Sequence, residues 1–570
     1  LDQMDFKQKA EEKKMSMSKN IARLAVTAGL TAALSFGGVM APVTMAFADG
    51  TTTSTNSIKI NKNNANGDVK YKAYQIFKAN VVDEDDNKVV SNIDWASSKA
   101  KDAVLGYLKT VPKSGITVSS TAQEAAKYLT DHSEGAGKTT AIENSNLFNG
   151  LAKAVEQGVD QTGAAFGSEI VFEPKDDKGN ALQGYYLFVT DESTLGTEGK
   201  PEKNTGTSPI FAVVGGKGVT VTEKTSIPTV EKQVLEGGNW RKVSDSYIGE
   251  EVEYKLTGHV ASNIATFNKY EYEFQDTLSK GLEVVKDSND APKDLHVYID
   301  NKGTQTEVVQ DDANGYKVTS RQDNVTKKEN LTIAFTDLKT VKDKNGTAIK
   351  VDADSSVVVT YKAKLNSDVE YAANGTTNEV KLVYSNDPMS TGTGTSESKK
   401  VTDYVFGFDV TKTDPGNSSA QLVAGFTVKM TKEGSDKNVA KWLKQDGSFS
   451  NNENDAYTFE TKETGNKVFI PGLVAGTYLI SESKTPAGYN TIPDFEITVA
   501  PEYNTDGTLK KLNVTSSSNM ATPTIEENVT TTKIPVTIEN KKGSNLPLTG
   551  LNGVTFTWIA GGAVLCIGVA

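Results

Sequence analysis

From residue 228 onward the chain consists of short runs in which apolar and polar residues alternate, each run closed by Gly, Asn, Asp or Ser. Alternation with period two is the strand period, and many short strands between turn residues predict β-sandwich domains over 228–400 and 404–540. Residues 56–227 read differently. They open with strand-like alternation and then pass through helical stretches predicted at 95–111, 122–130 and 147–156. Ala122, Ala125, Ala126 and Leu129 recur at helical spacing, as do Leu147, Leu151, Ala154 and Val155. Strands return at 185–190 and 210–214. The pattern predicts a mainly β protein of three tandem β-sandwich domains, the first with helical insertions.

Parity sharpens this reading, because residues of equal parity along a strand share a face. Lys232 shares its face with Val230 and Val234, and Asp276 follows Tyr270, Tyr272 and Phe274. Asn378 leads Val380, Leu382 and Tyr384. Three polar groups that normally avoid cores thus point into one. The trio recurs further on: Lys412 follows Phe406, Phe408 and Val410, Glu482 follows Tyr478 and Ile480, and Asn540 follows Ile534, Val536 and Ile538. Burial disfavours charge, so the lysine becomes a neutral nucleophile while the acid keeps its proton and polarises the asparagine carbonyl. The product expected of each trio is a Lys–Asn isopeptide bond formed with loss of ammonia, clamping the first strand of a domain to its last. The competing reading is a buried ion pair, or a lysine that snorkels to the rim.

Composition removes several function classes. The 570 residues carry 61 basic against 73 acidic side chains, a net charge of −12, which argues against nucleic-acid binding. The length suits about three to five domains. Cys566 is the single cysteine, and His132, His259 and His296 are scattered, so disulfide frameworks, zinc sites and thiol chemistry in the body of the chain are excluded. Asp446, Ser448 and Ser450 match an Asp-x-Ser-x-Ser metal motif but follow no buried apolar strand. The acidic stretch 83–87 lacks EF-hand spacing and reads as a solvated loop. No cofactor or metal is implied, and no Ser-His-Asp set or phosphate loop points to an enzyme.

The ends carry addresses. Lys13, Lys14 and Lys19 precede, and Arg23 falls near the start of, an apolar run over 21–45 that closes on the small-x-small site Ala46-Phe47-Ala48. Residues 1–48 read as an upstream extension plus a secretory signal peptide, with Met15 or Met17 the natural start. At the other end Leu546-Pro547-Leu548-Thr549-Gly550 precedes an apolar stretch from Val554 to Ala570. That stretch rises only about 25 Å as a helix against a hydrocarbon core of about 30 Å, and no basic cluster follows it. The sorting signal at 546–570 is therefore expected to continue further.

This Leu-Pro-x-Thr-Gly motif resembles the cell-wall sorting signal of Gram-positive surface proteins. The stretch from Tyr478 to Tyr489, with Glu482 at its centre, looks like the E-box of sortase-assembled pilins, departing only in its Thr-Pro-Ala-Gly-Tyr turn. The Lys412 and Asn540 segments resemble the strands of collagen-adhesin B-type domains, and 228–232 with 274–282 resemble a fimbrial isopeptide-forming domain. The resemblance implies a backbone pilin with immunoglobulin-like, collagen-adhesin B-type sandwiches. An N-terminal domain would span 49–224, a middle domain 225–400 and a C-terminal domain 401–545. It implies Asp276 and Glu482 as autocatalytic groups for Lys232–Asn378 and Lys412–Asn540 bonds. A pilus-class sortase would cleave between Thr549 and Gly550 and join Thr549 to an acceptor lysine of the next copy. Lys224 occupies the acceptor's place, without the Tyr and Pro that usually precede it, and its parity sets it opposite Val219 and Val221.

The partners implied are other copies of the chain, pilus-class and housekeeping sortases, peptidoglycan, minor pilins and a host-surface ligand, at the cell wall of a secreted fimbrium. The alternative is a minor pilin or a singly wall-anchored adhesin. In the first domain Lys62 shares parity with Ile58 and Ile60, and 184–192 resembles a degenerate E-box, but no asparagine pairs with them. Its helices are expected to elaborate the side that meets the adjoining subunit.

Overall fold

The computed structural model describes residues 30–31, 54–63, 66–84, 87–132, 147–196, 204–223, 225–525 and 529–542. The fold is mainly β, and it groups into two compact units. One lies within Leu1–Lys242, Val252–Ala363 and Thr377–Val401, the other within Val243–Glu251, Lys364–Thr376 and Thr402–Ala570. Among the described residues no helix is long and apolar enough to cross a membrane.

The N-terminal part of the first unit is a sheet in which Gly184–Thr190 lies between Ile210–Val214 and Lys70–Glu84, with Asn87–Trp95 beyond. Every residue of Gly184–Thr190 is buried, because both faces of the strand are covered. Tyr185, Leu187 and Val189 pack with the helices, while Tyr186 and Phe188 pack with Ile58, Ile60 and Val219. The three helices run over Ser98–Leu108, Ala122–Asp131 and Leu147–Gly158, each starting or ending a few residues from its predicted limits. Ser97 caps the first by accepting from the Ala100 amide, which trims the expected start at Trp95. Thr121 and Glu124 form a reciprocal capping box on the second. Their apolar faces, including Val104, Leu108, Leu129, Leu151 and Val155, are buried against the domain's own sheet. Amphipathic helices cover the nearest apolar sheet, and here that sheet is the domain's own.

Lys62 falls just past the strand Ile58–Asn61, where parity no longer binds it, and reaches Asp68 at 3.3 Å while half-exposed. The buried lysine of this region is Lys88, 1% exposed. Its ammonium meets Asp83 Oδ1 at 2.9 Å and the carbonyls of Gly215 and Lys217 at 2.5 and 2.7 Å. Asp83 is therefore part of an ion pair rather than a solvated loop residue.

Residues 230–385 form two further sheets. In one, Val230–Glu236 pairs antiparallel with Glu251–His259, which neighbours Ser355–Leu365. In the other, Tyr272–Leu278 lies between Thr376–Ser385 and Glu329–Phe335. Alternate residues of both point into a common core, as in the run from Tyr272 to Leu278, buried at every second position.

In the second unit Phe406–Thr413 lies between Lys467–Leu473 and Lys533–Glu539, in a sheet that faces a second one built around Gly425–Glu433, Gly476–Lys484 and Phe495–Tyr503. The first and last strands, Phe406–Thr413 and Lys533–Glu539, run parallel as neighbours with Lys412 opposite Ile538. Phe408, Val410, Phe426, Tyr478, Ile480, Ile497, Val536 and Ile538 fill the space between the sheets. Ser448 donates to Asp446 Oδ1 at 2.6 Å and Ser450 to Asp455 Oδ2 at 2.5 Å, so these oxygens hold a turn.

Candidate functional site

The strands carry Lys232, Asp276 and Asn378 into one place inside the first unit. Each is at most 2% exposed. Lys232 comes from one sheet, whereas Asp276 and Asn378 come from adjacent strands of the other, with Asp276 opposite Val380 and Leu278 opposite Asn378. The Lys232 Nζ lies 2.5 and 2.6 Å from the two Asp276 oxygens. Burial lowers the Lys232 amine to a pKa of about 8 against the pull of Asp276. Burial likewise raises the Asp276 carboxyl, opposed by Lys232 and by a hydrogen bond from Tyr361. Both shifts favour the neutral forms, an amine and a carboxylic acid.

A residue the sequence reading did not single out completes this cluster. Tyr361 donates to Asp276 Oδ2 at 2.5 Å, and its hydroxyl accepts from Asn378 Nδ2 at 2.7 Å and from Lys232 Nζ at 3.1 Å. Its strand alternates Val357, Val359, Tyr361 and Ala363 into the core, so by pattern it reads as bulk. A hydroxyl at a core-parity position beside a buried lysine was the available signal.

The second cluster repeats the chemistry with a longer acid. Lys412, Glu482 and Asn540 are buried, and the side chains of Lys412 and Glu482 are fully enclosed. Lys412 Nζ lies 3.9 Å from Glu482 Oε1 and donates to the Ile538 carbonyl at 3.2 Å. Burial brings the Lys412 amine down to about 8, more than Glu482 restores. Glu482 Oε2 accepts from Asn540 Nδ2 at 3.2 Å, from the Ile492 amide at 3.0 Å and from the Thr485 hydroxyl at 3.3 Å. Gly488, at φ +82, makes the turn through which the chain returns to bring Asn490 and Ile492 back to Glu482. Thr485 and the returning segment were not anticipated as supports of the acid.

The orientation of both amides differs from the expectation that the acid polarises the asparagine carbonyl. Asn540 Nδ2 also donates to the Asn490 carbonyl at 2.8 Å, and a carbonyl only accepts, so the amide nitrogen is fixed toward Glu482. The Asn378 nitrogen likewise points to Tyr361, donating to its hydroxyl at 2.7 Å. The two carbonyl oxygens, Asn378 Oδ1 and Asn540 Oδ1, are buried without a hydrogen-bond partner among the described residues. Glu482 thus touches the nitrogen that amide exchange would expel, and Asp276 is linked to its counterpart through the Tyr361 hydroxyl. Lys224, Thr549 and Gly550 lie outside the described residues, as do Cys566 and all of residues 1–48 except 30–31. Glu223, next to Lys224, is buried and accepts from the Asn63 amide at 2.8 Å and Asn66 Nδ2 at 3.0 Å.

Residues 407–516, which hold Lys412 and Glu482, match the family described as SpaA, prealbumin-like fold domain. No curated protein matches the chain. Among solved structures it is similar to the T6 backbone pilin of serotype M6 Streptococcus pyogenes, at 14% identity, covering 86% of this chain and 99% of that one with a TM-score of 0.47. The major pilin SpaA of Corynebacterium diphtheriae is similar at 13% identity, over 85% of this chain and 100% of that one, with a TM-score of 0.43. BcpA, the major pilin subunit of Bacillus cereus, is similar at 16% identity, over 67% and 92% of the two chains, with a TM-score of 0.34.

Proposed function

We propose that this chain is the shaft-forming subunit of a covalently polymerised pilus on a Gram-positive cell, with domains at 49–224, 225–400 and 401–545 and a sorting signal at 546–570. The observation that carries the reading is the burial, twice and in the same chain order, of a lysine, a carboxyl group and an asparagine inside β-sandwiches. The Leu546–Gly550 motif and the prealbumin-like match over 407–516 support it independently. In each set the neutral lysine amine attacks Cγ of the asparagine, and the Nζ–Cγ bond forms as the Cγ–Nδ2 bond breaks. The acid, having taken one proton from the ammonium, gives a proton to the departing nitrogen and accepts the second lysine proton, so neutral ammonia leaves. Asp276 serves Lys232 and Asn378, and Glu482 serves Lys412 and Asn540. A pilus-class sortase then joins the Thr549 carbonyl to Lys224 of the next copy, and a housekeeping sortase passes the finished polymer to peptidoglycan.

The test of the internal chemistry is the intact mass of the denatured protein. Two condensations remove two ammonias, roughly 34 Da. A mass equal to that of the unmodified sequence overturns the reading of both clusters.

A further inference from the structure

The two clusters differ in how the acid reaches the amide, and the difference has a chemical consequence. Glu482 touches Asn540 Nδ2 directly, at 3.2 Å. Aspartate is one methylene shorter, about 1.5 Å less reach. In that cluster the gap is spanned by Tyr361, whose hydroxyl lies 2.5 Å from Asp276 Oδ2 on one side and 2.7 Å from Asn378 Nδ2 on the other. Resting on the isopeptide reading above, we propose that Tyr361 is a catalytic residue of the Lys232–Asn378 condensation, relaying a proton from Asp276 to the departing amide nitrogen.

The step balances as a double transfer through one oxygen. Lys232 in its ammonium form first gives a proton to Asp276, leaving a neutral amine and a carboxylic acid. As Nζ bonds to Cγ of Asn378, Asp276 Oδ2 protonates the Tyr361 oxygen and the Tyr361 hydroxyl proton passes to Nδ2. The Cγ–Nδ2 bond breaks and ammonia departs. The second Nζ proton returns to Asp276, which ends as the neutral acid, and Tyr361 ends as it began. A phenol suits this role because it donates and accepts at one atom, and burial with the nearby Asp276 keeps it protonated. The ring is held for the task. Tyr254 stacks on it with centroids 5.5 Å apart and planes 17° from parallel, and both rings are fully buried.

The experiment uses the full chain, freshly synthesised, with denatured mass followed over time and the cross-linked peptides mapped. Four proteins are compared: the parent, Asp276→Ala, Tyr361→Phe and, as a control that removes the neighbouring hydroxyl, Tyr254→Phe. The parent and Tyr254→Phe are expected to form both bonds, and Asp276→Ala only Lys412–Asn540. Tyr361→Phe is expected to form Lys412–Asn540 normally and Lys232–Asn378 at least roughly 10²-fold more slowly, the low end of a general-acid contribution. A Lys232–Asn378 bond formed at the parental rate in Tyr361→Phe overturns the relay and leaves the isopeptide reading standing. An equal slowing in Tyr254→Phe, or trypsin cleavage of Tyr361→Phe within 225–400 where Asp276→Ala resists, assigns the tyrosine to packing and also overturns it. Absence of the bond in the parent overturns the isopeptide reading itself.

Discussion

Lys412 sits in a place that suits an amine poorly as a cation and well as an amide. Among the described residues its nearest carboxylate oxygen is 3.9 Å away and its one close acceptor is the Ile538 carbonyl at 3.2 Å, so the buried charge is weakly matched. In an Asn540→Ala chain no bond can form and the amine stays free. Its folded pKa of about 8 lies below the ordinary lysine value, so between the two the unfolded chain binds more protons than the folded one. Stability should therefore rise with pH across that window, by on the order of 2 kcal/mol from pH 8 to pH 10. The parent, whose Lys412 nitrogen is an amide in the proposed product, should lack this rise, and urea titrations at the two pH values make the comparison. A variant that is flat over the window would remove the case for a depressed amine. Glu482→Ala tests the acid at the same site. Its mass should exceed the parent's, after correction for the substitution, by one ammonia of roughly 17 Da. Its C-terminal domain should lose roughly 3–5 kcal/mol, the scale of a cross-link closing a loop of this length. An unchanged corrected mass sinks the role given to Glu482.

The strand is the element that made the clusters legible. Where a strand is regular and one face is buried, parity alone places a side chain, and Lys232, Asp276, Asn378, Lys412 and Glu482 are all buried at the positions alternation assigns, whereas Asn540, one residue past the strand Lys533–Glu539, is held in the core by Glu482 and the Asn490 carbonyl. Parity fails where regular structure stops, which is why Lys62 leaves the core one residue beyond Asn61. It is also blind to chemistry carried by a residue that looks like filling, as with Tyr361, and to an ion pair formed across a tight hairpin, as with Lys88 and Asp83. Amide orientation was not legible at all, because it depends on the Asn490 carbonyl brought back by a turn. The same geometry sets a mechanical expectation. Phe406–Thr413 and Lys533–Glu539 are parallel neighbours, so tension entering through one and leaving through the other shears them apart. A Lys412–Asn540 bond removes the intervening chain from the path of the force. Lys412→Ala should therefore add an unfolding event of roughly 450 Å of contour length, at about 3.5 Å for each freed residue. Single-molecule pulling on the full chain reads this directly, and an event of that length already present in the parent would exclude the clamp.

At the scale of the whole molecule the proposed internal bonds and the proposed polymer make separate demands on the chain, and their failures are separable. The clusters need only a folded domain, since every group they use lies within one sandwich. Polymerisation needs an enzyme to reach two segments at once, the Thr549–Gly550 bond of one copy and a lysine on another. Lys232 and Lys412 are sealed inside and cannot serve. Just before Lys224, Thr222 is exposed while Val219 is buried, and Glu223 is anchored by Asn63 and Asn66, so the chain approaches Lys224 along a held, partly exposed edge. Expressed in a Gram-positive host with a pilus-class sortase, the parent should give a ladder of polymers on a denaturing gel. Lys224→Ala should collapse that ladder to wall-linked monomer whose mass still shows both ammonia losses, because its folding chemistry is untouched. Thr549→Ala should abolish the ladder and the wall linkage together. A ladder that survives Lys224→Ala moves the acceptor to another exposed lysine. Monomer alone from the parent, anchored through Thr549, would turn the shaft into a singly anchored surface protein, since such an anchor needs an acyl donor and no acceptor on its own chain.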